Sequence, residues 1–386
     1  MNIDKTGWAT TTLGDICIKQ EENDKENASN RFNRFVKVEH LDPDSLHIKR
    51  WGDAGKDELP PTFYKIFRMG QVLYPTRNPH LRRTALATFD CICGEKTLTL
   101  EPNKAIVNEK FFPFIFMSST FIDHATTAIV GSTNPHVRWR DIAQFQFLLP
   151  PKDQQARLAE LLWAGDAVVE GYGRLAEQIN QLRLSFQYEK YNFPETISIG
   201  QISTKVGSGK TPLGGDKNYL KEGVVFLRSQ NVLKGKISLE DIAYISSETH
   251  ESMRSSKVQE GDVLLNITGA SIGRSAVFEG PGFKEANVNQ HVCIIRPIYY
   301  SSILLCDYLN SIFGQDQINT LQTGGNRQGL NFQNLRQLQV PNFSESVMIE
   351  IENQILKIGQ QEDAIGLLIE SQKNLQSHLL NQIFTP

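Results

Sequence analysis

The chain contains the same phrases twice, in the same order. Leu13-Gly14-Asp15-Ile16 returns as Ile199-Gly200-Gln201-Ile202, and Gly70-Gln71-Val72-Leu73 returns as Gly261-Asp262-Val263-Leu264. Glu101-Pro102 comes back as Arg296-Pro297, and Arg140-Asp141-Ile142-Ala143-Gln144-Phe145 as Gln333-Asn334-Leu335-Arg336-Gln337-Leu338. Self-similarity of this kind fixes the architecture before any single element is assigned. A length of 386 residues suits two to three domains with cores of their own. The repeat selects two, each followed by its own long amphipathic stretch.

In the first of those stretches, after Pro150-Pro151, residues recur in alternating steps of three and four: Leu158, Leu161, Gly165, Val168, Tyr172, Leu175, Ile179, Leu182 and Phe186. The spacing predicts a heptad helix of some 30 residues, roughly 45 Å long, opened by Asp153 in its first turn and closed by Asn192 and Pro194. The second stretch follows Pro341 through Val347, Ile351, Ile355, Ile358, Ile365, Leu368, Leu375, Leu379 and Ile383, interrupted near Gln361, Glu362 and Gln372. A narrow apolar stripe needs a partner, and the obvious partner of each helix is the other. The expected pairing residues are Leu161, Val168, Leu175 and Leu182 on one helix and Ile351, Ile358, Ile365 and Leu379 on the other. Ordinary core helices within each domain are the competing reading, against which their terminal placement argues.

The expected division is a mixed domain over 1–150, a helix over 151–191, a second mixed domain over 192–342 and a second helix over 343–386. Strand-like runs at Gly70–Tyr74, Thr97–Leu100, Val224–Leu227, Asp262–Asn266 and His291–Ile295 alternate with Gly-, Pro-, Asn- and Ser-rich loops. Helical segments are expected at Phe114–His124 and Ile303–Gln317. The fold class is α+β: two similar mixed domains, each trailed by a long helix, with the helices paired as an antiparallel coiled coil. An approximate twofold would then set the domains at opposite ends, as on a ruler.

A net charge of −3 gives no global sign of a polyanionic partner, so such a surface requires local segregation of charge. Residues 59–89 contain no Asp or Glu but carry Lys65, Arg68, Arg77, Arg82 and Arg83, with His80 among them. Residues 317–344 are also free of acids, and 204–215 add Lys205 and Lys210. Arg, Lys, Asn, Gln, Ser and Thr in loops are the side chains that touch phosphate oxygens and base edges. The five cysteines, at 17, 91, 93, 293 and 306, make no metal-binding pair of motifs and are expected as free thiols in a reducing cytoplasm. No apolar run approaches the roughly 20 residues that span a bilayer, and MNIDKTGW lacks a signal-peptide core, so a cytoplasmic protein with no membrane partner is expected.

Catalytic signatures fail on inspection. GSGKT at 207–211 lacks the glycine spacing of a phosphate loop, and Pro212 disfavours the helix that such a loop must open. Asn78-Pro79-His80 and Leu149-Pro150-Pro151 do not supply the Asn/Asp-Pro-Pro-aromatic motif of base methylation, and the eight histidines show no metal-binding interval.

The second copy, through GSGKTPLGGDKNYL, Val224-Val225-Phe226-Leu227-Arg228 and GDVLLNITGASIGRSAVF, resembles the target-recognition domain of the DNA-specificity subunits of type I restriction-modification systems. The first copy resembles another branch of that domain through GQVLYPTRNPHLRRTALATFDCICGEKTLTLEP, departing from it at Cys91, where glycine is usual. The resemblance covers essentially the whole chain. It implies a non-enzymatic subunit that binds double-stranded DNA at a bipartite, asymmetric site and binds no cofactor itself. Two methyltransferase subunits would carry S-adenosylmethionine, and restriction (motor-nuclease) subunits would use ATP and Mg. The helix length is commensurate with one DNA turn of roughly 34–36 Å, so the half-sites are expected about one turn apart. Expected DNA contacts are Arg77, Asn78, Arg82, Arg83, Asn134 and Arg138 in the first copy. In the second they are Lys210, Thr211, Arg228, Asn266, Thr268, Ser271, Arg274, Asn326 and Arg327. A specificity subunit for a fused methyltransferase-endonuclease and a coiled-coil tether for protein-binding modules are the rival readings.

Overall fold

The computed structural model describes residues 3–385 except 213, 281, 283, 284 and 323–328. It divides into two units: unit 1 is Met1–Gly173 with Leu367–Pro386, and unit 2 is Arg174–Gly366.

In unit 1 an antiparallel sheet runs in the order Cys17–Gln20, Thr97–Pro102, Val72–Pro75, Ala85–Leu86. A second sheet runs Gly52–Asp53, Arg34–Val36, Cys91–Gly94, Phe63–Phe67, its central pair parallel. Unit 2 repeats the first sheet as Ser203–Ser208, Val292–Pro297, Val263–Asn266, Ser275–Val277. Its second sheet is Ala243–Ile245, Val224–Leu227, Ala286–Val288, again with one parallel pair. No counterpart of the Phe63–Phe67 edge strand occurs there among the described residues.

The repeated phrases are repeated contacts. Thr12 and Asp15 cap the turn that opens unit 1, and Ser198 with Gln201 does the same in unit 2. Gly14 N donates to Ala143 O and Gly200 N to Arg336 O, both at 2.9 Å. A Cβ would stand 3.2 Å from the first carbonyl oxygen and 3.1 Å from the second, so glycine lets the two segments close at either place. In the large sheet, Gln71 Nε2 donates to Glu101 Oε1 at 2.8 Å. The counterpart in unit 2 reverses the chemistry: Arg296 grips buried Asp262 through two hydrogen bonds of 2.7 and 2.8 Å.

The expected helices Phe114–His124 and Ile303–Gln317 are each broken in two. Phe112–Ile115 and Ser119–Thr127 part at Ser118, whose hydroxyl accepts from Phe121 N. Ser302–Asn310 and Ile312–Leu321 part at Ser311, which accepts from Gly314 N. An N-cap serine starts a new helix by satisfying an orphan N–H, so the apolar period runs on while the backbone turns.

Both long helices have 40 residues, Lys152–Tyr191 and Glu345–Phe384, the first nearly three turns longer than its heptads suggested. In unit 1 they run antiparallel: Gln372 reaches Gly165 and Gln376 Nε2 reaches Leu162 O, one sequence falling as the other rises. In unit 2, Arg183 joins Glu362 through Nε and Nη2, each at 2.8 Å. Ile351, Ile358 and Ile365 are buried, and Leu379 packs on the unit 1 core.

On the first helix the four expected pairing residues face outward, while Ile179 and Phe186 of the expected stripe face inward. Leu161, Val168, Leu175 and Leu182 are exposed, at 55, 42, 43 and 54%, whereas Gln155, Ala159, Leu162, Asp166, Ile179 and Phe186 are buried. The reason is chemical: several inward positions are small or polar and are satisfied by fixed partners. Gln155 accepts from Asn108 N, and Asp166 meets His47 at 2.7 Å.

Each mixed fold grips the helices differently. In unit 1 the junction is aromatic: Phe111, Phe114 and Phe147 cluster with Leu162, Leu380, Ile383 and Phe384. In unit 2 it is polar, with buried Asp307 accepting from Arg183 Nη1 (2.5 Å), Gln187 Nε2 (2.9 Å) and Tyr191 Oη (2.6 Å).

Candidate nucleic-acid interface

The same main-chain stitch ties three loops together in each unit. In unit 1, Thr76 N donates to Lys96 O and Val137 N to Thr76 O, both at 2.9 Å. In unit 2, Ile267 N donates to His291 O at 2.9 Å and Leu330 N to Ile267 O at 3.0 Å. Strand register explains the match, since Pro75 pairs with Thr97 as Asn266 pairs with Val292. The loop after strand Val72–Pro75, the turn before strand Thr97–Pro102 and the loop before Val137 thus converge at one edge of the sheet, and their counterparts do so in unit 2.

The first of these loops also takes a left-handed backbone at two matching positions in both units. Asn78 and Arg82 hold positive φ, at 52° and 54°, on either side of the short helix Pro79–Leu81. Gly269, which opens the short helix Gly269–Ser271, and Gly273, two residues past it, hold φ of 77° and 87°. Glycine adopts this conformation freely, whereas Asn and Arg adopt it at a cost.

Expected contact residues divide by what they already hold. Arg77 and Asn78 are exposed on the first loop of unit 1, and Asn134 is exposed on the third. Arg82 pairs with Asp44 (2.5 Å) and donates to Met117 O, and Arg83 donates to Val38 O at 2.9 Å. Arg138 grips Asp141. Hence the acid-free run 59–89 is no open basic face: buried Lys65 donates to Thr97 O, and Arg68 pairs with Glu22 and Asp90. In unit 2, Lys210 and Arg274 are exposed, Thr211 and Ser271 half-buried, and Arg228 pairs with Asp241. Asn266 is a correction, because it is fully buried and its amide donates to Ser229 O and Val232 O, which removes it from any surface. Asn326 and Arg327 lie outside the described residues.

What sequence reading missed is the middle loop, Glu95-Lys96 in unit 1 and Gln290-His291 in unit 2. Gln290 stands between Thr211, whose Oγ1 donates to its Oε1, and His291, whose Nδ1 lies 2.5 Å from Thr268 Oγ1. Two residues chosen from separate loops, Thr211 and Thr268, are therefore joined through a pair that was not chosen.

Residues 5–181 match the model of the type I restriction modification DNA specificity domain. That match takes in most of the first unit and the start of the second. The chain is 24% identical over 157 residues to the EcoDI type I specificity subunit of Escherichia coli, which takes in 38% of this chain and 34% of that one. It is 20% identical over 253 residues to the MjaIX type I specificity subunit of Methanocaldococcus jannaschii, 60% of this chain and 57% of that one. The matches thus span a third to rather over half of these curated relatives. In fold, the chain is similar to the S subunit of a type I restriction-modification system from M. genitalium, with TM-score 0.62 at 13% identity, over 98% of this chain and 96% of that structure. A chain from a structure of type I assembly and conformational transition gives TM-score 0.58 at 16% identity, covering 98% and 97%. The same three-loop stitch recurs in unit 2, which lies almost wholly beyond the specificity-domain match. Among the described residues no cluster of His, Cys, Asp and Glu could hold a metal, and no helix is long and apolar enough to cross a membrane.

Proposed function

We propose that the chain is the DNA-reading subunit of a type I restriction-modification assembly, each unit reading one half of a bipartite, asymmetric duplex site. One observation carries the reading: a single three-loop frame, stitched by the same hydrogen bonds, occurs twice with different side chains on it. Two equal frames with unequal side chains are suited to two unequal half-sites. The chemistry is assigned to partners, with two methyltransferase subunits supplying S-adenosylmethionine and modifying adenine, and restriction subunits using ATP and Mg. Exposed Leu161, Val168, Leu175 and Leu182 on the first long helix, and Leu367, Leu368 and Leu375 on the second, offer apolar surface to such subunits. The gap between half-sites is assigned to the helices.

The test is co-expression with the methyltransferase partner followed by genome-wide mapping of methylated adenine. One split, asymmetric motif is expected, and DNA binding that falls steeply with ionic strength. Methyl transfer by the purified chain alone, or binding indifferent to salt, refutes the proposal.

A further inference from the structure

Deepening the proposed function, and resting on it, we infer that the tip of the middle loop sets base preference in each unit: Gln290 for an adenine in unit 2 and Glu95 for a cytosine in unit 1. The two tips are equivalent by register. Each directly precedes the residue whose carbonyl is stitched to the neighbouring loop, Lys96 in one unit and His291 in the other.

Both side chains are held by a hydroxyl from a neighbouring segment. Tyr64 Oη donates to Glu95 Oε2 at 2.9 Å, and Thr211 Oγ1 donates to Gln290 Oε1. A side chain fixed this way enters a contact with little rotamer freedom left to lose. What each has left to offer differs. Gln290 Nε2 lies 3.3 Å from His291 Nε2, and with the His291 tautomer that places its proton on Nδ1, facing Thr268 Oγ1, that ring nitrogen accepts one amide hydrogen. One acceptor lone pair and one amide hydrogen remain on the exposed Gln290 side chain. That is the complement of the N6 donor and N7 acceptor of adenine in the major groove. Glu95 has no hydrogen to give: the Tyr64 hydrogen bond holds its carboxyl below the usual range, so at neutral pH it only accepts. Its Oε1 stands 3.7 Å from exposed Lys96 Nζ, a loose pairing that leaves the carboxylate an acceptor, unsuited to phosphate and suited to the N4 amino group of cytosine.

The experiment uses the chain assembled with its methyltransferase subunits, and the readout is the census of methylated sites for wild type, Gln290→Ala, Gln290→Glu and Glu95→Gln. Gln290→Ala is expected to lower discrimination at one adenine position of one half-site by about 5- to 150-fold and to leave the other positions alone. Gln290→Glu moves that position towards cytosine, which a misfolded unit would not do. Glu95→Gln alters a single position of the opposite half-site. The inference is overturned if both Gln290 variants return the wild-type motif, or if every position weakens alike, as for a phosphate contact. A wild-type assembly that methylates no split site overturns the proposed function itself, an outcome distinct from a wild-type motif that the variants leave unchanged.

Discussion

Replacing Asp307 by Ala is expected to destabilise unit 2 by about 3–5 kcal/mol, through its donors rather than through lost volume. Asp307 takes three hydrogen bonds while buried. Without it, the Gln187 amide and the Tyr191 hydroxyl are buried donors with nothing to bond, at about 1–2 kcal/mol each. Arg183 keeps Glu362 at 2.8 Å, so its guanidinium contributes only about 1 kcal/mol more. That total is a large part of the roughly 5–15 kcal/mol that holds a domain folded.

The repeat supplies the control. Unit 1 has Phe114, Gln376, Leu380 and Phe384 where unit 2 has Asp307, Arg183, Gln187 and Tyr191, and its version of the junction is almost wholly apolar. The quadruple variant Asp307→Phe, Arg183→Gln, Gln187→Leu, Tyr191→Phe removes the carboxylate together with the groups that depend on it, and most of the loss should be recovered. Hydrogen exchange over 174–191 and 302–310 measures unit 2. All four tryptophans, at 8, 51, 139 and 163, lie in unit 1, so their fluorescence transition reports separately on that unit and should stay in place. If the quadruple variant protects unit 2 no better than Asp307→Ala does, unsatisfied donors are not the cause and the argument fails.

Other expectations concern the remaining pairs. Arg296→Ala strips buried Asp262 of two hydrogen bonds and should cost about 3–5 kcal/mol by denaturant titration, while Asp262→Gln with Arg296→Glu, which copies Gln71 and Glu101, should restore much of it. The Asp166 hydrogen bond raises the pKa of His47, so the stability it gives unit 1 is present below the ordinary histidine range and declines as pH climbs through the raised value; tryptophan-monitored melting from pH 6 to pH 8 should show a fall that His47→Gln lacks. Burial pushes the thiols of Cys93, Cys293 and Cys306 up to about 12, so thiol reagents should label them only on unfolding, and prompt labelling of the native chain would contradict the packing.

The repeat was legible because its phrases are the places where backbone geometry dictates the residue. Gly14 and Gly200 lie where a Cβ meets a carbonyl, and Thr12 and Ser198 cap the same turn. The helices were legible as periods, though the seam of the first was not: Gln155, Asp166 and Arg183 face inward only because distant segments supply their partners. The ion pairs of the arginines were hidden for the same reason. Nothing near Arg82 in sequence reveals that Asp44 neutralises it, or that Arg68 serves Glu22 and Asp90, so an acid-free run says little about an open charge. Local chemistry is written in neighbouring residues, and ion pairing across a sheet is not.

Divergence between the two frames points to the loops rather than to the sheets. Where unit 2 places Gly269 and Gly273 in the left-handed region, unit 1 keeps the same conformation with Asn78 and Arg82. Holding a side chain there opposes folding by about 1 kcal/mol or more at each position, and glycine would relieve it. For Arg82 the fold gives a return, since its guanidinium ties Asp44 and Met117 O to the loop. Exposed Asn78 has no such bond among the described residues, so folding alone does not account for its side chain. Under the proposed function, a polar residue held this way beside Arg77 is available for a contact made outside the chain. Asn78→Gly should therefore raise the stability of unit 1 while weakening its half-site, and a variant that is more stable yet reads that half-site unchanged would remove Asn78 from the interface.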